Sequence, residues 1–251
     1  MPSHMSSIGF PVETEDDFLR FQTLAADNGR PLAASAGTYV RWRAGEGAEL
    51  WVQVTPDNDI VGLNPHFDGE SMLTVHVASR IRYPNEDGLD GAFYGWLVET
   101  AGDDLDADRE VVFDAPDFAL QESLDLPATL RVQLAAFAEE LHVFADEATF
   151  AAAQPPGLEL APESLIPVPS SDGEDSTAGP PEPRAFLAGR VLQTEPRINP
   201  ATDEPFRWAR LRTQGGEVDL VADPAVVPGE LDAGAIVVGT CWLSGRIERP
   251  A

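Results

Sequence analysis

The chain contains no lysine: all 16 of its basic residues are arginine. A single cysteine, Cys241, excludes a disulfide framework and any zinc site built from cysteines. Histidine is scarce, at four. No apolar run approaches the roughly 18 residues of a membrane helix, and no signal peptide follows the opening residues, so a cytoplasmic protein with no membrane partner is expected. The G-x-S-x-G elbow, the H-E-x-x-H zinc motif and a glycine-rich phosphate loop are all missing. No cofactor is expected.

Acid is what the chain has in excess. Forty-three Asp and Glu face those 16 arginines, a net charge of −27. Such a field repels nucleic acid and anionic membranes and attracts basic proteins or cations. Duplex nucleic acid is therefore not an expected partner, and a basic protein is. Hydrophobic residues make up 43%, with five Trp and twelve Phe, which is enough to build a core and excludes global disorder.

One segment organises the rest. Residues 167–183 hold five Pro, three Ser, two Gly and four acids. They cannot repay the entropy of ordering and read as a linker. On either side the charge differs: residues 1–166 carry 8 Arg and 30 acids, net −22, and residues 184–251 carry 8 Arg and 9 acids, net −1. Two separately folding domains are expected, 1–166 and 184–251. Residues 1–5, Met-Pro-Ser-His-Met, read as an expression-tag remnant outside the fold.

Thr14 followed by three acids and by apolar residues at helical spacing predicts a helix over 15–27. The period then changes to two, predicting strands over 38–43, 49–55, 59–63, 73–82, 91–98 and 110–114. Residues 131–144 fit either period, and a strand giving way to a short helix at 146–153 is the reading adopted. The fold class expected for the front part is α+β, a mostly antiparallel sheet with few helices. The back part reads as all β, with strands over 185–194, 206–213, 217–222 and 235–247. Its long first strand, two hairpins and inserted connection at 223–234 resemble an OB-like small barrel. The stretches GLNPHF at 62–67 and DGAFYGW at 90–96, with the run 206–222, resemble two-domain bacterial proteins described only as uncharacterised, which implies no activity.

Three constellations carry candidate chemistry. His66, Asp68 and His76 combine imidazole and carboxylate, ligands that suit a divalent metal, in a loop and on the polar face of the next strand. The acidic run at 103–108 suggests a calcium loop, but counted from Asp104 the EF-hand positions for Gly and Glu hold Arg109 and Ala115, so the motif fails. In the back part, Trp208, Arg210 and Arg212 share one strand face, with Arg207 on the same strand and Arg190 and Arg197 nearby in sequence. On an OB-like barrel such a face stacks single-stranded nucleic acid. The charge of the domain opposes that use and favours contact between Arg207, Arg210 and Arg212 and the acidic front part. The function expected is a non-enzymatic acidic binding protein that meets a basic partner, as nuclease-neutralising immunity proteins do by charge. The alternatives are a metal-assisted enzyme centred on His66, Asp68 and His76, and single-strand binding by the barrel.

Overall fold

The computed structural model describes residues 3–83, 88–98, 109–155, 157, 160–168 and 182–248. The helix α1 (Glu15–Asn28) begins with a reciprocal cap. Thr14 Oγ1 accepts from the Asp17 amide at 3.2 Å, and the Asp17 carboxylate accepts from the Thr14 amide at 3.0 Å. Phe21 and Ala25 turn its apolar stripe inward. Four antiparallel strands follow in sequence order: β1 (Arg30–Ala34), β2 (Gly37–Gly45), β3 (Ala48–Val54) and β4 (Ile60–Phe67). The β2–β3 turn places Glu46 and Gly47 at positive φ, the pattern that matches the twist of a two-residue hairpin. Strand β1, Arg-Pro-Leu-Ala-Ala, has no β-branched residue, so pattern alone passes over it and pairing with β2 makes it a strand.

The second sheet has nine strands. They are β5 (Met72–Ile81), β6 (Ala92–Leu97), β7 (Glu110–Asp114), β8 (Ala128–Phe144), β9 (Ser164–Pro167), β10 (Arg184–Ile198), β11 (Pro205–Thr213), β12 (Gly216–Ala222) and β13 (Ile236–Ile247), with α2 (Glu147–Ala153) after β8. One run of elements occurs twice. Strands β5, β6 and β7 lead through a 3-10 turn, Phe118–Gln121, into the long β8. Strands β10, β11 and β12 lead through a 3-10 turn, Pro224–Val226, into the long β13. The two long strands pair antiparallel from Ile236↔Phe144 to Ile247↔Val132.

These pairings close two circuits that share β8 and β13: β10–β11–β12–β8–β13 and β5–β6–β7–β13–β8. In each, the third strand of one run lies parallel to the long strand of the other, β12 beside β8 at Asp219↔Ala135 and β7 beside β13 at Asp114↔Ser244. Ala135 and Ser244 are themselves partners, so Asp219 and Asp114 occupy equivalent places in the two halves. The fold is mostly β with two α-helices among the described residues.

This topology corrects the expected split into separate domains. Residues 169–181 lie outside the described residues, but their flanks belong to the sheet: β9 pairs with β10, and the Leu243 amide donates to Pro183 O. The last run does not close on itself and takes β8 from the front part. Composition revealed a segment that buries nothing, which does not decide which strands bond across it. Strand β8 is buried continuously from Val132 to Ala138 because it has a sheet neighbour on each edge and a core on each face.

Two large cores result. One fills the circuits, with Val75, Phe93 and Phe113 beside Leu187, Leu211 and Leu243. The other lies between the first sheet with α1 and the outer face of β8, β11 and β12, joining Phe10, Phe21, Leu50 and Phe67 to Phe137, Phe206 and Trp208. Residues 3–5 take part, contrary to expectation. Met5 is 5% exposed, and the His4 ring stacks 4.7 Å from that of Trp242.

Candidate functional site

Two polar clusters sit where the first sheet meets the second. The first is built on β3 and β4. Glu49, on β3, is 1% exposed and accepts from Arg41 Nε at 2.9 Å, from Arg43 Nε at 3.1 Å and from Trp51 Nε1 at 3.1 Å. Burial raises its carboxyl above the usual range, and the hydrogen bonds from Arg41 oppose that shift. Opposite it in register, His66 is fully buried. Gln133 presents its carbonyl oxygen at 2.8 Å, so Nε2 carries the proton, and Nδ1 accepts from the Ser244 hydroxyl at 2.8 Å. Burial first, then the charge of Arg246, holds the imidazole well below its ordinary pKa, so it is neutral.

A serine bonded to a histidine is the pair that activates a nucleophile. Here both members are sealed, Ser244 at 1% exposure, and a substrate has no approach. The pair fastens β4 to β8 and β13. Both imidazole nitrogens are taken by protein, which removes His66 as a metal ligand in this arrangement. Asp68 is held by Arg41, Arg43 and Arg246 at 3.2 to 3.3 Å. His76 bonds Thr129, four residues along β8 from the Gln133 that binds His66, about 13 Å away at strand rise. The expected trio therefore does not converge, and among the described residues no group of three ligating side chains could hold a metal ion. Sequence placed His66 in a loop; the pairing of β4 with β3 puts it inside the sheet.

The second cluster holds the expected arginine face. Trp208 and Arg210 project from the outer side of β11, since Ala209 and Leu211 point into the core. That outer side is covered. Trp208 is 4% exposed and packs on the first sheet, and its Nε1 donates at 2.8 Å to Asp219, itself fully buried and also accepting from the Ser71 amide at 2.9 Å. Arg197 lies 4.3 Å and Arg210 5.9 Å from the Trp208 ring centre. A cleft of about 300 Å³ remains beside them, lined by both arginines and by Asp68, Glu70 and Asp219. Arg210 donates to Glu70 at 2.8 Å; Arg212 and Arg190 share Glu163 at 3.0 and 3.4 Å, and Arg190 also reaches Glu147 at 2.6 Å. The alternation of β11 puts Arg207 on the opposite face from Trp208, so it does not join them.

Sequence reasoning missed Glu49, Asp219, Gln133 and Ser244. Asp219 had a signal: an acid between Val218 and Leu220, inside a run of apolar residues to Ala222, requires a donor if it is buried. Glu49 had a weaker one, as the only charge on the strand face that also carries Trp51 and Gln53. Cys241 is buried as expected, and burial pushes its thiol up to about 12, so it is inert. The acidic run at 103–108 lies outside the described residues.

No family model matches the chain, and no curated protein or solved structure matches it.

Proposed function

We propose that the chain is a non-catalytic binding protein whose acidic surface receives a basic protein partner. The observation that carries the reading is where the arginines go. Arg41, Arg43, Arg184, Arg190, Arg197, Arg210, Arg212 and Arg246 are each within 4.0 Å of an acid of the same chain. Each such pair removes one charge of either sign, so 43 acids less 16 arginines still leaves 27 negative charges without a cation of the chain's own. Among the described acids only Glu49, Asp117 and Asp219 are below a tenth exposed, and Asp114 is held against Tyr83 and Trp242, so most of the described carboxylates reach solvent. Meanwhile the groups with chemical potential, His66, Ser244 and Cys241, are sealed.

We read the circuit of β10–β11–β12–β8–β13 as an OB-like barrel completed by a strand from the front part. Its binding face, around Trp208, is taken by the first sheet, which weighs against single-strand binding there. Among the described residues no helix is long and apolar enough to cross a membrane, and a place in the cytoplasm goes with the reading. Affinity capture with the intact chain, at low and at high salt, tests it. A basic protein retained at low salt and released once screening shortens the Debye length to about 3 Å, near 1 M salt, is the expected result. Capture of nucleic acid, or of a neutral protein whose retention ignores salt, would refute it.

A further inference from the structure

Two guanidiniums line the cleft beside Trp208, and neither has a firm counter-ion. Arg197 and Arg210 lean on the indole ring at 4.3 and 5.9 Å from its centre, and their side chains are only 19% and 25% exposed. A charge so far out of water needs a bonded partner. Arg197 has a neutral one, Glu46 O at 3.0 Å, and the acid within reach, Glu195, stands 3.6 Å away. Arg210 has Glu70 at 2.8 Å and Glu217 at 3.8 Å. In both, Nε is buried and has no hydrogen-bond partner. Stacking covers the face of a guanidinium, but its N–H groups lie in its plane and still want acceptors.

The loop from β4 to β5 shows why Glu70 holds Arg210 loosely. Its backbone is pinned on either side of Glu70. The Ser71 amide donates to Asp219 at 2.9 Å, and a Cβ on Gly69 would stand 2.0 Å from Asp219 Oδ2, so only glycine lets the chain lie this close. Glu70 itself reaches out from between them. At 87% it is the most exposed acid of any ion pair among the described residues. Water solvates such a carboxylate well and salt screens it, so the pair is weak.

The other acids of the cleft are committed. Asp219 accepts from Trp208 Nε1 and from the Ser71 amide, one bond to each oxygen, and Asp68 is shared by Arg41, Arg43 and Arg246. With Glu70 turned away, Arg197 and Arg210 against Asp219 leave one positive charge. The space of about 300 Å³, at the ~30 Å³ of a water molecule, takes about ten non-hydrogen atoms.

We infer that this cleft binds a small organic molecule through a single carboxylate, which replaces Glu70 on Arg210 with Arg197 as the second cation of the seat. Glu70 shows the group that the seat accepts and is its internal competitor. Guanidinium–carboxylate pairing fixes the orientation of the guest. The seat is separate from the acidic surface proposed to meet a basic partner, and either can fail without the other.

The test titrates the full chain with benzoate, and with benzamide as a neutral molecule of the same shape, by calorimetry and by the arginine Nε–H resonances. Benzoate should bind and shift the signals of Arg197 and Arg210, and benzamide should do neither. Glu70→Gln, by removing the competitor, should tighten benzoate about threefold to tenfold. Asp57→Asn, at the far end of β4, removes the same charge and should leave the affinity unchanged. Arg210→Gln should abolish binding; thermal melts check that it folds, and Glu70→Gln, at an exposed position, keeps the question answerable if it does not. Equal tightening by Glu70→Gln and Asp57→Asn would mean general charge repulsion and overturn the seat. So would the absence of benzoate binding to Glu70→Gln, or inorganic phosphate bound where benzoate cannot displace it.

Discussion

At the scale of single residues, the polar groups that look reactive are structural ties. His66 spends both nitrogens on the second sheet, and its neutrality makes stability depend on pH. Its folded pKa lies well below 6.5, so on acidification the unfolded chain takes the proton first. The contribution is complete above about pH 6.5 and is lost below it, at up to about 1.4 kcal/mol per unit. Asp114 runs the other way. Burial pushes it up to about 6 although Tyr83 and Trp242 donate to it, so its contribution is present below about pH 3.8 and lost as pH rises through 6. Glu49, also raised, has the sign of Asp114. A variant separates these opposing slopes. Between about pH 7 and 5.5, urea midpoints of the wild type should fall further than those of His66→Gln. Equal changes would mean that another group titrates.

At the scale of elements, the pair β8–β13 is the seam on which both circuits close. Gly239, on β13, faces β8 where the register shifts next to Thr240 and Cys241. A Cβ there would sit 1.9 Å from Glu140 O, and that oxygen belongs to the backbone and cannot swing away. Gly239→Ala should therefore cost about 1–3 kcal/mol or more, read as a lower denaturation midpoint at unchanged m-value. A neutral result would show that the bulge adjusts. Element identity was the most legible layer of the sequence. Helix α1 announced itself by Thr14, the acids after it and the spacing of Phe21 and Ala25, all local features. Strand β1 did not, because its residues have no preference of their own and β2 imposes the conformation.

At the scale of the whole molecule, the segment 169–181 joins two parts of a single sheet. Cleavage within it should leave fragments that co-elute under native conditions and unfold together, because β8–β13, β8–β12 and β7–β13 pairings cross the cut. Fragments that separate without denaturant would contradict the shared sheet. Residues 184–251 expressed alone should lack a stable fold, having no strand to place between β12 and β13.

The candidate sites divide along the same line. Alternation alone put Trp208 and Arg210 on one strand face; the structure pairs Arg210 with Glu70 and Arg212 with Glu163, while Arg207, expected to dock with them, lies on the other face. The sequence could not tell that the face is roofed, since the roof comes from residues about 150 positions away. His66, Asp68 and His76 are near in sequence and were grouped on that ground. One strand pairing turns His66 inward against Gln133 and another carries His76 along β8 to Thr129. What the sequence by itself determined is local or additive: α1 and its cap, most strands, the apolar supply for a core, and the surplus of acid. Only the tertiary structure decided which strands pair, because a strand's hydrogen bonds do not depend on side-chain identity. Through that choice it also decided which tryptophans are covered, Trp51 and Trp208 among them.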